Sequence, residues 1–416
     1  MMAKVLVYTS PARGHLYPIT PTLDELRRRG HDVALRTLAS QVATMRTRGF
    51  DAAPISAAIE AIEHDDYRAR TPQGALKRAL ALFARRAEYE IPDLEAAIAE
   101  ERPDLLLIDG QTWGGLAGAE AWGGPWASWL PYPMPLPSPE VPPFGPGLPP
   151  ARGPAGRLRD RVLRPLLMRS FERVMLPSLN EVRARVGLAP LTGVGELFTR
   201  PPALLYLTAE PFDYPRTDWP ANIRMIGPGT WDPPADPPEW LAAIDRPIVL
   251  VTTSSEFQDD GRLVATALDA LADEPVHVVA TLPSADPAAF APRPNAHVLP
   301  FVPHAPLLEH AACAITHGGM GATQKALAAG VPVCAVPFGR DQLEVARRVV
   351  VAGAGTKLNA RRLRPDRLRE SVRAAMGMGA GARRVADAFA GAGGAPAGAD
   401  TIEQLLEARA PATTRT

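Results

Sequence analysis

The order of hydrophobic and polar positions repeats one theme along the chain. Residues 4–9 form a short β-branched, apolar run that ends in the turn SPARGH, and a helix-period pattern follows with Ile19, Leu23 and Leu26 on one face. Gly30 marks the helix stop, and HDVALRT reads as a second strand. Such a β-loop-α-β opening makes a right-handed parallel unit in an open sheet. The run PDLLLIDG predicts a further buried strand, fed by a helix carrying Ile91, Leu94 and Ile98. The first half is therefore expected to be a doubly wound α/β domain.

Across residues 131–154, eleven of 24 positions are proline, which excludes a helix or central strand and predicts an extended surface loop. Residues 157–185 then carry eight arginines and three acids on a helical pattern, with Leu158, Val162, Leu166 and Leu167 expected to face inward. A second proline-rich stretch, 211–238, separates the halves. Beyond it the rhythm restarts, and RPIVLVTTSS, HVVATLP, AHVLPFVP, AACAITHGG and VPVCAVP predict five strands of a second Rossmann-like domain. The expected division is 1–210, a linker over 211–239, and 240–416, with the last helix a candidate to pack back on the first domain.

Composition narrows the chemistry. With 416 residues, 46% of them hydrophobic, and 45 basic side chains against 45 acidic ones, the chain is long enough for two cores and is not dominated by disorder. Zero net charge gives no general field for nucleic acid or an anionic membrane, so small-molecule chemistry is expected. No apolar stretch approaches the roughly 18 to 20 residues of a membrane span, and the first apolar run is too short for a signal sequence; a cytoplasmic protein is expected. Cys313 and Cys334 lie in apolar segments and read as buried free thiols. Neither half has GxGxxG after its first strand, which weighs against a dinucleotide cofactor.

The segment 316–342, THGGMGATQKALAAGVPVCAVPFGRDQ, holds the strongest chemical signal. A strand ends at His317, and Gly318, Gly319 and Gly321 let the backbone turn closely into a helix. Free amides and the dipole at a helix start suit a phosphate group without a metal. The same residues also suit a packing turn. At this point the chain resembles the GT-B-fold glycosyltransferases of the UDP-glycosyltransferase superfamily, in their bacterial natural-product, macrolide-type branch, whose pattern is roughly THGGxGTxxEALxxGVPxxxxPxxxDQ. The resemblance implies that His317 and the amides of Gly319, Gly321 and Ala322 hold the diphosphate of a nucleotide sugar, and that Asp341 and Gln342 bind sugar hydroxyls. Ala322 replaces a hydroxyl residue of the family. Lys325 stands where UDP-sugar users commonly have a ribose-binding glutamate, which points to a dTDP-sugar as donor.

Upstream, PFVPHAPLLEH resembles WxPQxxLLxH, which implies that Phe301 stacks on the base and Val302 reads its edge, with His304 at the usual glutamine. TTSSEF matches the family's VSxGS turn, making Ser254 and Ser255 donor contacts, although Ser254 replaces a glycine. In the first half, GHLYPITPTLDELRRRGHDVALRT resembles GHxxPxxxLAxxLxxRGHxVxxxT, so that His15 would be the general base and Asp109, matching the aspartate of PDLVVxD, its orienter. The segment NIRMIGP at 222–228 extends the likeness across the linker. Trp126, Trp129, Tyr132 and Phe144 are expected to wall an apolar acceptor site. The implied reaction is inverting, metal-independent transfer of a sugar to a secondary-metabolite aglycone, with no cofactor beyond the nucleotide sugar and no nucleic-acid or membrane partner. A homodimer or a helper protein stays open as partner, and the alternatives are a non-catalytic helper of another transferase or a sugar-nucleotide 2-epimerase of the same fold.

Overall fold

Continuous apolar runs bury both faces of a strand, and here they assemble into two parallel sheets. The computed structural model describes residues 2–69, 71–255, 258, 260–284 and 286–409. The first sheet has seven strands in the order β3-β2-β1-β4-β5-β6-β7: β1 (Lys4–Tyr8), β2 (Asp32–Thr37), β3 (Asp51–Pro54), β4 (Leu105–Asp109), β5 (Trp126–Leu130), β6 (Ala203–Tyr206) and β7 (Ile223–Met225). The second has six in the order β10-β9-β8-β11-β12-β13: β8 (Ile248–Thr252), β9 (His277–Thr281), β10 (Ala296–Leu299), β11 (Ala311–Thr316), β12 (Val333–Ala335) and β13 (Gly355–Lys357). All pairings within the two sheets are parallel. Each fold is α/β and doubly wound, as the alternation of elements implies.

Burial explains the strand composition. In β1, Val5 and Val7 enter one core while Leu6 and Tyr8 enter the other. β4 does the same with Leu105 and Leu107 against Leu106 and Ile108, so neither strand can afford a polar face until its last residue. The chain reverses winding direction between β1 and β4 in the first sheet and between β8 and β11 in the second. Loops diverge at the carboxyl ends of these strands and leave a crevice, the usual ligand position in such sheets.

Three expectations change. Residues 211–239 are more than a connector, because Ile223–Met225 completes the first sheet beside β6. In the long helix Gly153–Arg185 the residues Leu158, Val162 and Leu166 are exposed, not inward, while Met175, Leu179 and Val182 face the core. The helical period was legible, but only the second half of the helix is seated on the domain core. The proline-rich loop is not simply a surface loop either, since Pro131, Pro133, Met134 and Pro135 are buried.

The domains are laced together. The last helix, Gly394–Arg409, places Ala399, Ile402 and Leu406 in the core of the first domain, and His31 and Arg29 bind Glu403 on it. Gly229 of the connecting segment approaches Pro18 so closely that a Cβ would lie 1.8 Å from its carbonyl oxygen. Cys313 and Cys334 are free and buried. Among the described residues no helix is long and apolar enough to cross a membrane.

Candidate active site

His15 projects from the first turn of the helix Arg13–Arg28, which starts where β1 ends, and Asp109 closes the adjacent β4. Strand adjacency brings them together: His15 Nδ1 lies 2.8 Å from Asp109 Oδ1 and 3.1 Å from Oδ2. Asp109 is fully buried and also accepts hydrogen bonds from the Ser10 amide (2.9 Å), the Ser10 hydroxyl (2.6 Å) and the Gln111 amide (3.0 Å). Burial pushes this carboxyl up, but His15 and Ser10 outweigh it and hold Asp109 below its ordinary value. The contact favours the tautomer in which Nδ1–H points at the carboxylate and Nε2 carries the free lone pair. Ser10 was not singled out from sequence; it lies in the loop between β1 and the helix that carries His15, and only the adjacency of β1 and β4 brings it to Asp109.

Tyr132 follows β5, and its ring centre lies 5.6 Å from that of His15. Its hydroxyl donates to Gly110 O at 3.2 Å and is held protonated by burial and by the carboxylates Asp109 and Asp341. Of the four expected acceptor residues, Tyr132 is the one whose ring stands beside the His15 imidazole. Phe144 is half-buried in the proline-rich loop. Trp126 begins β5 and is 6% exposed in the core at the amino end of the sheet, away from the crevice. Trp129 is fully buried beneath the first helix, where its indole donates to His15 O at 3.2 Å. Both tryptophans are therefore corrected from acceptor wall to core, because strand alternation and position along β5 decided their faces and composition could not.

Across the crevice, His317 directly follows β11, which ends at Thr316. Gly318 has φ 84°, a left-handed conformation, and leads into the helix Met320–Ala328 with Gly319 as its N-cap. A Cβ on Gly319 would lie 2.1 Å from His317 Nε2, so the imidazole lies directly over the helix start. Burial lowers the His317 pKa, opposed by Asp260 and by the Thr252 backbone, so the ring is neutral near neutral pH. Gly321 is exposed and Ala322 half-exposed at the helix start. The side of this site formed by neutral donors and a helix dipole suits an anion.

Asp341 precedes the helix Gln342–Val351, and no protein hydrogen bond holds its carboxyl among the described residues other than its own backbone. Burial raises its pKa, against the pull of Arg340, His15 and Arg348. Gln342 is buried and already engaged: Oε1 accepts from the amides of Phe338 (2.8 Å) and Gly339 (3.0 Å), and Nε2 donates to Gln258 at 2.7 Å. It shapes the turn beneath Asp341 and has one N–H left for a ligand.

Ser254 is buried, its amide donating to Asp260 at 2.7 Å, and Ser255 is exposed beside it. Glu256 and Phe257 of the same loop lie outside the described residues. Phe301 is 47% exposed after β10, while Val302 is buried. Lys325 does not point into solvent: it pairs with Asp232 of the connecting segment and donates to Trp231 O at 3.3 Å. Asp232 in turn accepts the His304 amide at 3.2 Å, and burial together with Lys325 lowers the His304 pKa to about 4. Asp232 was missed because nothing in a proline-rich linker marks one acid among several.

Comparison with known proteins follows the geometry. Residues 265–407 match the family model for the C-terminal domain of erythromycin biosynthesis protein CIII-like proteins. The 4'-demethylrebeccamycin synthase of Lentzea aerocolonigenes is 35% identical over 396 residues, covering 90% of this chain and 92% of its own. The calicheamicin glycosyltransferase structure superposes with a TM-score of 0.75 at 24% identity, covering 99% of this chain and 100% of its own. The glycosyltransferase VinC, solved in complex with dTDP, gives a TM-score of 0.70 at 24% identity over 97% of this chain and 100% of its own.

Proposed function

The chain belongs to the GT-B-fold glycosyltransferases of antibiotic biosynthesis, and from that premise we propose that it moves a sugar from a dTDP-sugar to an apolar aglycone in one inverting displacement. The observation that carries this reading is the His15–Asp109 pair, 2.8 Å apart with Tyr132 beside it, while the Asp341 carboxyl of the other domain interacts electrostatically with both His15 and Tyr132. His15 Nε2 takes the proton of the acceptor's hydroxyl or N–H as that atom attacks the anomeric carbon, and Asp109 stabilises the imidazolium. Asp341 accepts hydrogen bonds from sugar hydroxyls and sets the carbon in line with the base. The diphosphate leaves on the far side, which inverts the anomeric centre. Its charge is taken up by the amides at the start of the helix Met320–Ala328 and by His317, so no divalent ion is required.

Two observations support thymidine over uridine. Lys325 offers only donors, and both oxygens of Asp232 beside it already accept from Lys325 and His304, which leaves little for a ribose 2′-hydroxyl. A structure of like fold holds dTDP. A base with its orienter intact favours an active transferase over a helper, which has no use for one.

Turnover of purified protein with dTDP-glucose and a panel of phenolic and indolic acceptors tests the reading. His15→Ala is expected to lower kcat by on the order of 10² to 10⁴. An unaltered rate would remove His15 as the base. Activity is expected to persist in EDTA; loss in EDTA with recovery on adding magnesium would overturn the metal-free leaving-group step.

A further inference from the structure

The helix Gln342–Val351 begins at the donor-side Asp341, and its first turns grip the proline-rich loop of the opposite domain. Glu344, 2% exposed, accepts the amides of Gly145 at 2.8 Å and Gly147 at 2.9 Å on one oxygen. Arg347 donates to Gly147 O at 2.8 Å. Gly147 has φ 61°, and a Cβ there would lie 2.3 Å from Leu343 O, so the loop backbone seats directly on the helix where only glycine fits. The other oxygen of Glu344 accepts Arg348 Nη1 at 3.0 Å, and Arg348 Nε donates to Asp213 at 2.8 Å. Asp213 binds the Tyr206 hydroxyl, which accepts the Met134 amide at 3.1 Å.

One buried series of polar groups therefore holds both arms of the loop, Met134 where it leaves β5 and Gly145 and Gly147 where it returns. Tyr132, beside His15, stands just before the first anchor. Each charge in the series is paired, as burial demands. The loop is thus registered against the helix that carries Asp341 as well as against its own domain.

We infer that Glu344 is a positioning residue for the acceptor: it ties the proline-rich loop to the donor-side helix and so sets the gap between the acceptor wall and the sugar. The inference rests on the transferase reading, in which this loop borders an apolar acceptor. A loop already held does not have to be ordered each time an acceptor binds, so the tie acts on acceptor affinity.

The test compares Glu344→Ala and Glu344→Gln in the full chain by amide hydrogen exchange across residues 133–148 and by steady-state transfer from dTDP-glucose to umbelliferone. The alanine variant is expected to exchange faster in the loop and to raise the KM for umbelliferone on the order of tenfold. The KM for dTDP-glucose should stay within about twofold. Glutamine still accepts from both glycines and is expected to restore most of the acceptor KM, which a general packing defect would not allow. Unchanged loop exchange overturns the tie, and faster exchange with an unchanged acceptor KM overturns its role in acceptor binding. Should the alanine variant fail to fold, Gly147→Ala lifts the loop off Leu343 while leaving the Glu344–Arg348 pair, and the same split is expected. A wild-type chain that binds dTDP-glucose but transfers to no phenol counts against the transferase reading, and loop exchange in the variants still decides whether Glu344 holds the loop.

Discussion

Asp109 remains ionised inside a fully buried site because its neighbours supply donors, whereas the buried Glu90 does not. Glu90 accepts the Gly114 amide at 2.8 Å at the start of the helix Trp113–Trp122. Burial pushes its pKa up to about 8, only partly opposed by Gly114 and Arg86 and reinforced by Asp109. Between the ordinary value of 4.5 and about 8 the native chain holds a proton that the unfolded chain has released. Stability from this group is therefore present below the lower value and is lost as pH rises through the upper one. Glu90→Gln is expected to flatten the fall in melting temperature between pH 5 and pH 8.5, by at least about 2 °C at the alkaline end. Thermal unfolding across that range checks it, and parallel curves for variant and wild type would show that Glu90 is ionised when folded. Sequence reading found His15 and Asp109 as residue types at strand ends. It had no access to Glu90, because an acid inside a long amphipathic helix looks solvated until the helix packed over it is known.

At the scale of elements, the turn from β11 into the helix Met320–Ala328 was legible because glycine spacing is a backbone statement. Gly318 needs its left-handed φ of 84°, and Gly319 leaves the space that His317 occupies. Gly319→Ala is expected to displace the imidazole and weaken nucleotide binding without touching His15 on the other domain. The readout is the rise in melting temperature with dTDP, since ligand at about 100 times its Kd adds roughly 2.7 kcal/mol. Wild type should show that rise, with a smaller one for UDP at the same concentration, and the alanine variant should show less of either. An equal response to dTDP and UDP would remove the Lys325 argument, and an undiminished response in the variant would remove the glycine turn as the phosphate site. The long helix Gly153–Arg185 gave the opposite lesson. Its apolar positions at 158, 162 and 166 have helical spacing, yet they are exposed, because periodicity states which residues share a face and not what that face meets.

At the scale of the whole molecule, contacts far apart in sequence hold the two sheets at the crevice. Arg340, with φ 53°, makes a two-pronged ion pair with Asp66 at 2.9 and 3.0 Å, immediately before Asp341. Arg340 and His64 hold the Asp66 carboxyl well below its usual range despite its burial. Gln324 reaches across to Leu207 O at 2.9 Å. The last helix closes the structure by filling the first domain's core. Ile402 is fully buried there, and Ile402→Ala is expected to cost about 2–5 kcal/mol. Denaturant unfolding monitored in the first domain measures it; a loss under about 0.5 kcal/mol, the range of ordinary surface changes, would mean the helix does not belong to that core.

By itself the sequence determined the alternation of strands and helices, the two glycine-punctuated crevice turns, and the residue types able to act as base, orienter and anion site. These are local properties, set by period, by backbone freedom and by functional-group chemistry. The tertiary structure alone decided which face each side chain took and which distant groups met. Trp126 and Trp129 went to the core because of their places along one strand. Lys325 met Asp232, Glu344 met the proline-rich loop, and β7 completed the first sheet because the connecting segment and the last helix thread between the domains. Such pairings depend on how two cores dock, and no spacing along the chain encodes that distance.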